Sequence, residues 1–190
     1  MKTKSSTGKN QKNEEITLGG GCFWCTEAVF SRVKGIKTVT PGYSGGNVEN
    51  PTYQKVSTGT TEHAEVVQIT FNTNLISLRE VLEIFFATHD PTTLNRQGAD
   101  IGTQYRSVVF YRNEEQKKTV FKLIEELNKS KTLKNSIVTQ VEPFKKFYEA
   151  EEYHMNYYEK YRDQPYCRLV INPKIRKLNT TLKEKLVPIE

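Results

Sequence analysis

Long apolar segments are absent from the sequence, and no apolar run approaches the roughly 20 residues that a membrane-spanning helix needs. No apolar segment follows the basic start of the chain, which argues against a secretory signal in the chain as given. Cysteine is scarce, with three residues at positions 22, 25 and 167. An odd number at these spacings is not the disulfide framework of a small secreted protein. These absences predict a cytoplasmic protein whose cysteines carry thiol chemistry.

The charge has a modest basic excess that is not focused in one place. The 28 Lys and Arg residues exceed the 22 Asp and Glu residues, for a net charge of +6. The lysines are spread over the N-terminal tail, residues 117–134 and the C-terminal tail. This distribution favours solvated surfaces over a nucleic-acid site. One alternative stays open, because residues 105–111, YRSVVFY, are typical of a strand that stacks on bases.

The order of the predicted elements is typical of one mixed α/β (α+β) domain. The length of 190 residues suits a single domain, and the sequence has no internal repeat. The elements read β-α-β, β-α-β and then α-β, and the first six match the ferredoxin-like split βαβ arrangement. We predict a two-layer sandwich on that core, with additional helices and coil. This domain spans 15–172, between a disordered tail over 1–14 and a basic tail over 173–190.

Periodicity and capping residues predict the individual elements. The expected strands are 16–18, 36–40, 64–71, 105–111 and 137–141. Helices are expected directly after Gly21, after a capping box of Ser77 and Glu80, after an Asn113 cap, and around 150–161. The inward side chains of the third helix are expected to be Val120, Phe121, Ile124 and Leu127. Residues 47–60 and 89–104 are predicted to be irregular.

Cys22 stands between the first strand and the first helix, directly after three glycines. Unpaired backbone N–H groups and the positive end of the helix dipole favour a thiolate at this position. The alternative is a buried structural cysteine, but such a residue rarely lies between a glycine run and two large aromatic residues. We therefore predict that Cys22 is a nucleophile, and that Phe23 or Trp24 lines a pocket beside it.

Glu65 is predicted to lie among apolar side chains. Strand alternation over 64–71 places it on one face with Val67, Ile69 and Phe71. Burial would raise the pKa of its carboxyl group and keep it protonated near neutral pH. A protonated acid next to a thiolate suits a reduction in which an oxygen leaves. The alternative is that Glu65 reaches water at the end of the strand.

Cys22 and Cys25 also form a C-x-x-C at the predicted helix start, within range of a disulfide. A general dithiol oxidoreductase is therefore an alternative function. Cys25 lies on the apolar stripe of the helix as well, so core packing is its alternative role. A zinc site is not expected, because the only other candidate ligands of these types are scattered: His63, His89, His154 and Cys167.

The run GCFWC at 21–25 resembles the active-site motif of the peptide-methionine (S)-S-oxide reductases. Further motifs follow in the family's order over roughly residues 15–172: GYSGG at 42–46, NPTY at 50–53, HAE at 63–65, HDP at 89–91 and DIGTQYRS at 100–107. One short run would be weak support, whereas several in register are specific.

The resemblance implies that Cys22 attacks the sulfur of methionine sulfoxide, free or in proteins, and that Glu65 protonates the departing oxygen. Five further residues would surround the substrate: Phe23, Trp24, Tyr53, Asp100 and Tyr105. Cys22 would be left as a sulfenic acid, which condenses with a second thiol. Thioredoxin would reduce the resulting disulfide. The resemblance implies no metal or organic cofactor, and we expect a monomer.

Two positions depart from the commonest family pattern. Many members have glycine where this chain has Cys25, and some have two C-terminal cysteines where this chain has only Cys167. The departures leave the first chemical step unchanged, but they leave the resolving thiol open. We expect Cys167, in QPYC at 164–167, to resolve the sulfenic acid, with Cys25 as a direct or secondary partner.

Overall fold

The protein, seen in a computed structural model that describes residues 12–187, is a mixed α/β fold. The strands are β1 Asn13–Gly20, β2 Ile36–Ser44, β3 Ala64–Asn72, β4 Arg96–Gln97, β5 Asp100–Ile101, β6 Ser107–Tyr111, β7 Gln140–Pro143 and β8 Phe147–Glu149. The helices are α1 Phe23–Phe30, α2 Tyr53–Ser57, α3 Leu78–Thr88, α4 Glu114–Ser130, α5 Tyr157–Lys160 and α6 Asn172–Thr181. Single turns of other helix types cover 103–105, 152–154, 167–171 and 183–185.

Six strands form one sheet in the order β7-β6-β1-β3-β2-β8, and β4 and β5 form a separate pair. Neighbouring strands of the sheet are antiparallel except β6 and β7, which are parallel. α1 contacts β1, β2 and β3, and α4 contacts β6 and β7. Within residues 12–187, no helix combines the length and the apolar character that crossing a bilayer requires.

The alternation predicted for residues 64–71 is confirmed. Ile16 and Leu18 of β1 lie opposite Ile69 and Val67 of β3, and all four belong to the main core. Ala64 and Val66 instead belong to a second, smaller cluster with Val108 and Phe110, covered by Phe144 and Phe147. Burial of each large apolar side chain contributes about 1.5–3 kcal/mol, so the sheet is anchored mainly on the first face.

Both predicted helix caps are present. Ser77 accepts a hydrogen bond from the Glu80 N–H, and the Glu80 carboxylate accepts one from the Ser77 N–H. Asn113 accepts one from the N–H of Gln116. These bonds satisfy N–H groups that lack a partner within the helix, and thereby fix where α3 and α4 begin.

Several predicted boundaries differ from the structure. The strand predicted at 105–111 begins at Ser107, because 103–105 form a helical turn, and the one predicted at 137–141 is β7, at Gln140–Pro143. The segments predicted as irregular contain α2 and the β4–β5 pair, and the helix predicted around 150–161 is two short pieces. Phe121 was expected to face inward but is 50% exposed, because α4 buries Val120 and Leu123 instead.

The segment predicted as a basic tail, 173–190, is helical over much of its length. α6 packs on α1 and α3 and buries Ile175 and Leu178, and Leu186 pairs with Val33. Ile175 and Leu178 form a short apolar stripe with i, i+3 spacing. The sequence analysis missed this stripe because lysines dominate the composition of the segment. At the other end, residues 13 and 14 of the predicted tail belong to β1, and residues 1–11 lie outside the described part of the chain.

Candidate active site

The junction between β1 and α1 places Cys22 at the first turn of a helix. Gly21 has a φ of +91°, and a side chain there would come within 2.6 Å of Gln97, so glycine suits both the backbone and the space. Cys22 follows as the N-cap of α1, and it is only 6% exposed. The sequence prediction of a cysteine opening a helix behind a glycine turn is confirmed.

Glu65 lies on β3, a central strand of the sheet, and its side chain contacts the start of α1. Its Oε2 accepts a hydrogen bond of 3.0 Å from the backbone N–H of Phe23, the residue after Cys22. Glu65 is 2% exposed, and burial raises the pKa of its carboxyl group to about 8. The carboxyl group is therefore mostly protonated near neutral pH, as the sequence predicts. The alternative of a glutamate that reaches water is excluded.

The sequence predicts a thiolate at Cys22, whereas the structure favours the protonated thiol. Burial raises the pKa of the Cys22 thiol well above its usual value, and a side-chain hydrogen bond with Cys25 acts in the same direction. The N–H of Phe23, one of the backbone groups at the helix start, donates to Glu65. The hydrogen bond from Cys22 lowers the pKa of Cys25 to about 7.

Phe23 and Trp24 have different surroundings. Phe23 is fully buried, with its ring centroid 5.7 Å from that of Tyr43 and 4.9 Å from that of His154. Trp24 is partly exposed and stacks on Tyr157 with a centroid distance of 3.6 Å. Its indole N–H donates to Nδ1 of His154 at 3.1 Å. Of the two aromatic residues, Trp24 is the one with a surface free to line a pocket beside Cys22.

The predicted substrate-binding residues Tyr53, Tyr105 and Asp100 belong to three different elements: α2, the turn at 103–105 and β5. Burial raises the pKa of Tyr53 and of Tyr105, and the nearby negative charges of Glu65 and Cys22 act in the same direction on both hydroxyl groups. Asp100, in β5, accepts a hydrogen bond of 2.7 Å from the hydroxyl of Tyr166. The structure thus gathers all the predicted substrate-binding residues around Cys22 and Glu65.

The two other cysteines lie on the C-terminal side of the site. The Cys25 sulfur is 3.9 Å from the hydroxyl oxygen of Tyr166, the residue before Cys167. Cys167 begins the turn at 167–171 and is fully buried. Burial raises the pKa of Cys167, and the nearby charge of Cys25 adds to the effect. All three cysteines are free thiols.

Comparison with known proteins assigns this arrangement to a family. The sequence profile of the peptide methionine sulfoxide reductases matches residues 14–186. The chain belongs to the peptide methionine sulfoxide reductase family. It is 59% identical to the peptide methionine sulfoxide reductase MsrA of Saccharolobus solfataricus over 173 residues, which cover 91% of this chain and 97% of the relative.

Solved structures of reductases from this family agree in fold. The crystal structure of reduced Mxr1 from Saccharomyces cerevisiae is 39% identical, with a TM-score of 0.75 over 84% of this chain and 91% of that chain. The crystal structure of Mxr1 in complex with Trx2 is 31% identical, with a TM-score of 0.54 over 81% of this chain and 91% of that chain. The mixed α/β class predicted for this reductase from its sequence is therefore confirmed.

The structure does not favour a nucleic-acid site on the strand at 105–111 of this reductase. The strand proposed to stack on bases is interior, since Phe110 is 2% exposed and Arg106 is 8% exposed. Arg106 donates hydrogen bonds to Gln140 and to the backbone carbonyl of Thr103. Among residues 12–187, no group of three or more His, Cys, Asp or Glu side chains is placed to hold a metal ion.

Sequence reasoning missed a carboxylate that holds one wall of the site in this reductase. Glu151 accepts hydrogen bonds from the hydroxyl of Tyr43 and from the backbone N–H of Tyr53, both at 2.8 Å. Tyr43 in turn lies directly opposite Glu65 in the pairing of β2 with β3. Glu151 therefore positions a predicted substrate-binding residue and supports the strand that carries the acid.

Two aromatic residues of the C-terminal part were missed as well. His154 is fully buried and accepts the indole N–H of Trp24, whereas the sequence suggested it only as a scattered candidate for zinc. Tyr166 contacts both Asp100 and Cys25. Tyr166 lies within the run QPYC that carries Cys167, but neither that run nor any periodicity or capping pattern distinguishes Tyr166 or His154 from the aromatic residues around them.

Proposed function

We propose that the chain reduces the S epimer of methionine sulfoxide, free or in proteins, to methionine. The observation that carries the proposal is the buried, largely protonated Glu65, bonded to the backbone N–H beside Cys22. A sulfoxide oxygen leaves only when it is protonated, and a carboxyl group with a pKa of about 8 holds that proton at neutral pH.

In the first step, the Cys22 sulfur attacks the sulfoxide sulfur and Glu65 donates a proton to its oxygen, assisted by Tyr53 and Tyr105. Because Cys22 begins as a thiol, its proton returns to the Glu65 carboxylate as the sulfur becomes a nucleophile. The hydroxyl group then passes from the substrate sulfur to the Cys22 sulfur as the substrate S–O bond and the new S–S bond both break, so that the electron pair of the S–S bond leaves with methionine and Cys22 is a sulfenic acid. Trp24 covers the methyl group of the substrate, and Phe23 supports the pocket from the core side.

In the second step, a thiol displaces the sulfenic oxygen as water and forms a disulfide. Direct attack by Cys25 is supported by its position one helical turn from Cys22, where its backbone N–H donates to the Cys22 carbonyl at 3.1 Å. Cys167 then takes over the disulfide and presents it for recycling. Thioredoxin is the proposed reductant, and the complex of Saccharomyces cerevisiae Mxr1 with Trx2 supports this choice.

We further propose that the chain is cytoplasmic, for which three free thiols are the support, and that it is a monomer. The finer description of its fold as ferredoxin-like is supported by the central strand order β6-β1-β3-β2 with antiparallel neighbours. For the domain, we propose one unit running from β1 through Leu186, rather than ending at residue 172.

The test is reduction of a mixture of both sulfoxide epimers by the parent enzyme and by Cys22→Ser. We expect the parent to consume only the S epimer, and the variant to consume neither while keeping the parent's circular dichroism spectrum. Consumption of both epimers would favour a general dithiol oxidoreductase. Activity in the folded Cys22→Ser variant would refute the proposed nucleophile.

A further inference from the structure

Glu27 is a buried carboxylate in the helix that follows the nucleophile, and it takes no part in the proposed reaction. It lies in α1, whose other buried residues include Cys25, Ala28 and Val29, and it is 3% exposed. Burial raises the pKa of its carboxyl group. A carboxylate in such surroundings is unfavourable unless hydrogen bonds replace those it made with water. The burial of Glu27 therefore depends on the donors that it meets.

The donors are two consecutive backbone N–H groups from the C-terminal part of the chain. Oε1 of Glu27 accepts a hydrogen bond of 2.7 Å from Asn156, and Oε2 accepts one of 3.3 Å from Tyr157. Asn156 has a φ of +52°, in the left-handed region that asparagine adopts more readily than most residues. Successive N–H groups in such a turn form a small concave site for an anion. The Glu27 carboxylate occupies this site and joins α1 to the start of α5.

The ring of Tyr157 gives α1 a second contact with the same residue. The ring stacks on Trp24, with centroids 3.6 Å apart and an interplanar angle of 6°. Trp24 precedes Glu27 by three residues, so the two side chains lie on the same side of α1. Glu27 thus binds the backbone of the residue whose ring covers one face of the indole.

We propose that Glu27 is a positioning residue for substrate: it holds Tyr157 against α1, and Tyr157 in turn fixes the orientation of the Trp24 indole. This proposal rests on the proposed function, which assigns Trp24 to the methyl group of the sulfoxide. Glu27 acts on binding and not on the chemical step, because it supports the pocket and not the reacting atoms. Its loss should therefore weaken binding of the sulfoxide and leave the limiting rate unchanged.

The first experiment compares Glu27→Gln with the parent in single-turnover formation of methionine without thioredoxin. The new amide can accept one of the two hydrogen bonds, but it presents its own N–H groups to the other donor. We expect the half-saturating concentration of the S sulfoxide to rise about two- to fourfold, up to the value of one buried methyl group, with the limiting rate within about twofold of the parent's. Glu159→Gln is the matched control, because it removes a carboxylate of α5 that pairs with Arg32 and Arg162.

The fluorescence of Trp24 reports on the indole directly, because it is the only tryptophan in the sequence. Without substrate, we expect Glu27→Gln to shift the emission to longer wavelength and to increase its quenching by acrylamide. Tyr157→Ala should have the same two effects. Adding Glu27→Gln to Tyr157→Ala should change neither the fluorescence nor the half-saturating concentration further, because Glu27 acts through Tyr157.

Three results would overturn the proposal. Unchanged Trp24 fluorescence or an unchanged half-saturating concentration in Glu27→Gln would leave Glu27 a structural role only. Effects of Glu27→Gln that persist in full on the Tyr157→Ala background would show that Glu27 does not act through Tyr157. A limiting rate at least tenfold lower would place Glu27 among the reacting groups. If the parent itself forms no methionine, the proposed function fails, and the fluorescence comparison still tests whether Glu27 orients Trp24.

A measurement on the parent does not depend on the folding of any variant. In amide hydrogen exchange followed by NMR, the N–H groups of Asn156 and Tyr157 should exchange at least about tenfold more slowly than in an unstructured peptide, because both are bonded to Glu27. Exchange at the rate of the unstructured peptide would show that the carboxylate does not hold Tyr157, and would overturn the proposal.

Discussion

Replacing Glu65 by glutamine tests the source of the proton. In Glu65→Gln the amide oxygen can still accept the hydrogen bond from the Phe23 N–H, but the new side chain has no proton that it can transfer as an acid. Loss of a general acid slows a reaction by roughly 100- to 10,000-fold. We expect a decrease in this range in the rate of the first methionine formed, with the fold unchanged.

The pH dependence of the limiting rate is an independent test of Glu65 as the proton donor. With a pKa of about 8, Glu65 is roughly nine-tenths protonated at pH 7 and roughly one-tenth protonated at pH 9. The limiting rate of the parent should therefore fall about tenfold between these pH values as the acid is lost. Glu65→Gln should lack this decrease, because it has no group titrating in that range at the same position.

Removing the charge of Glu65 should also change Cys22. The negative charge contributes to the raised pKa of the Cys22 thiol, so the variant should have a lower pKa at Cys22. Alkylation of Cys22 by iodoacetamide, followed by peptide mass spectrometry, measures that shift in the folded variant. A lower pKa of Cys22 would show that Glu65→Gln has lost the acid but kept the structure of the site, whereas a collapsed site would not show this shift.

The assay is rapid-quench measurement of methionine formed without thioredoxin, over pH 6 to 10, for the parent, Glu65→Gln and Glu62→Gln. Glu62 is an exposed carboxylate three residues away and is the matched control. A Glu65→Gln rate within a few-fold of the parent would show that Tyr53 and Tyr105 suffice as proton donors. An unchanged decrease above pH 8 in Glu65→Gln would assign that titration to another group.

Two further variants test the pocket and the second step. Trp24→Ala removes both the stack on Tyr157 and the hydrogen bond to His154, so we expect a lower melting temperature. It should also raise the half-saturating sulfoxide concentration about fourfold, the value of one buried methyl group, and a raised concentration without any stability loss would contradict the contacts described. Cys167→Ser should form the first methionine at the parent's rate but lose turnover with thioredoxin. If thiol counting and peptide mapping show that it still recycles at the parent's rate, Cys25 alone resolves the sulfenic acid.

Strand alternation and capping were predictable because they depend on neighbours in sequence. The period of two in β3 places Glu65 on the core face, and the capping box fixes the start of α3. The glycine turn before Cys22 was likewise visible, since a residue with φ of +91° favours glycine.

The contacts that define the site depend instead on pairings between distant segments. Glu151 reaches Tyr53 across 98 residues, and Tyr166 reaches Asp100 across 66. No local pattern encodes these distances, so neither contact was predicted. The shift in the pKa of Cys22 was predicted with the wrong sign for the same reason, because the burial that raises this pKa depends on how distant segments pack around the thiol.

The burial of all three thiols has a consequence for the lifetime of the enzyme. Cysteine oxidation by peroxide follows thiolate character and solvent access. Cys22 has a raised pKa and 6% exposure, and Cys25 and Cys167 are less exposed still. Direct oxidation of Cys22 by peroxide should therefore be slow compared with that of an exposed thiol of ordinary pKa.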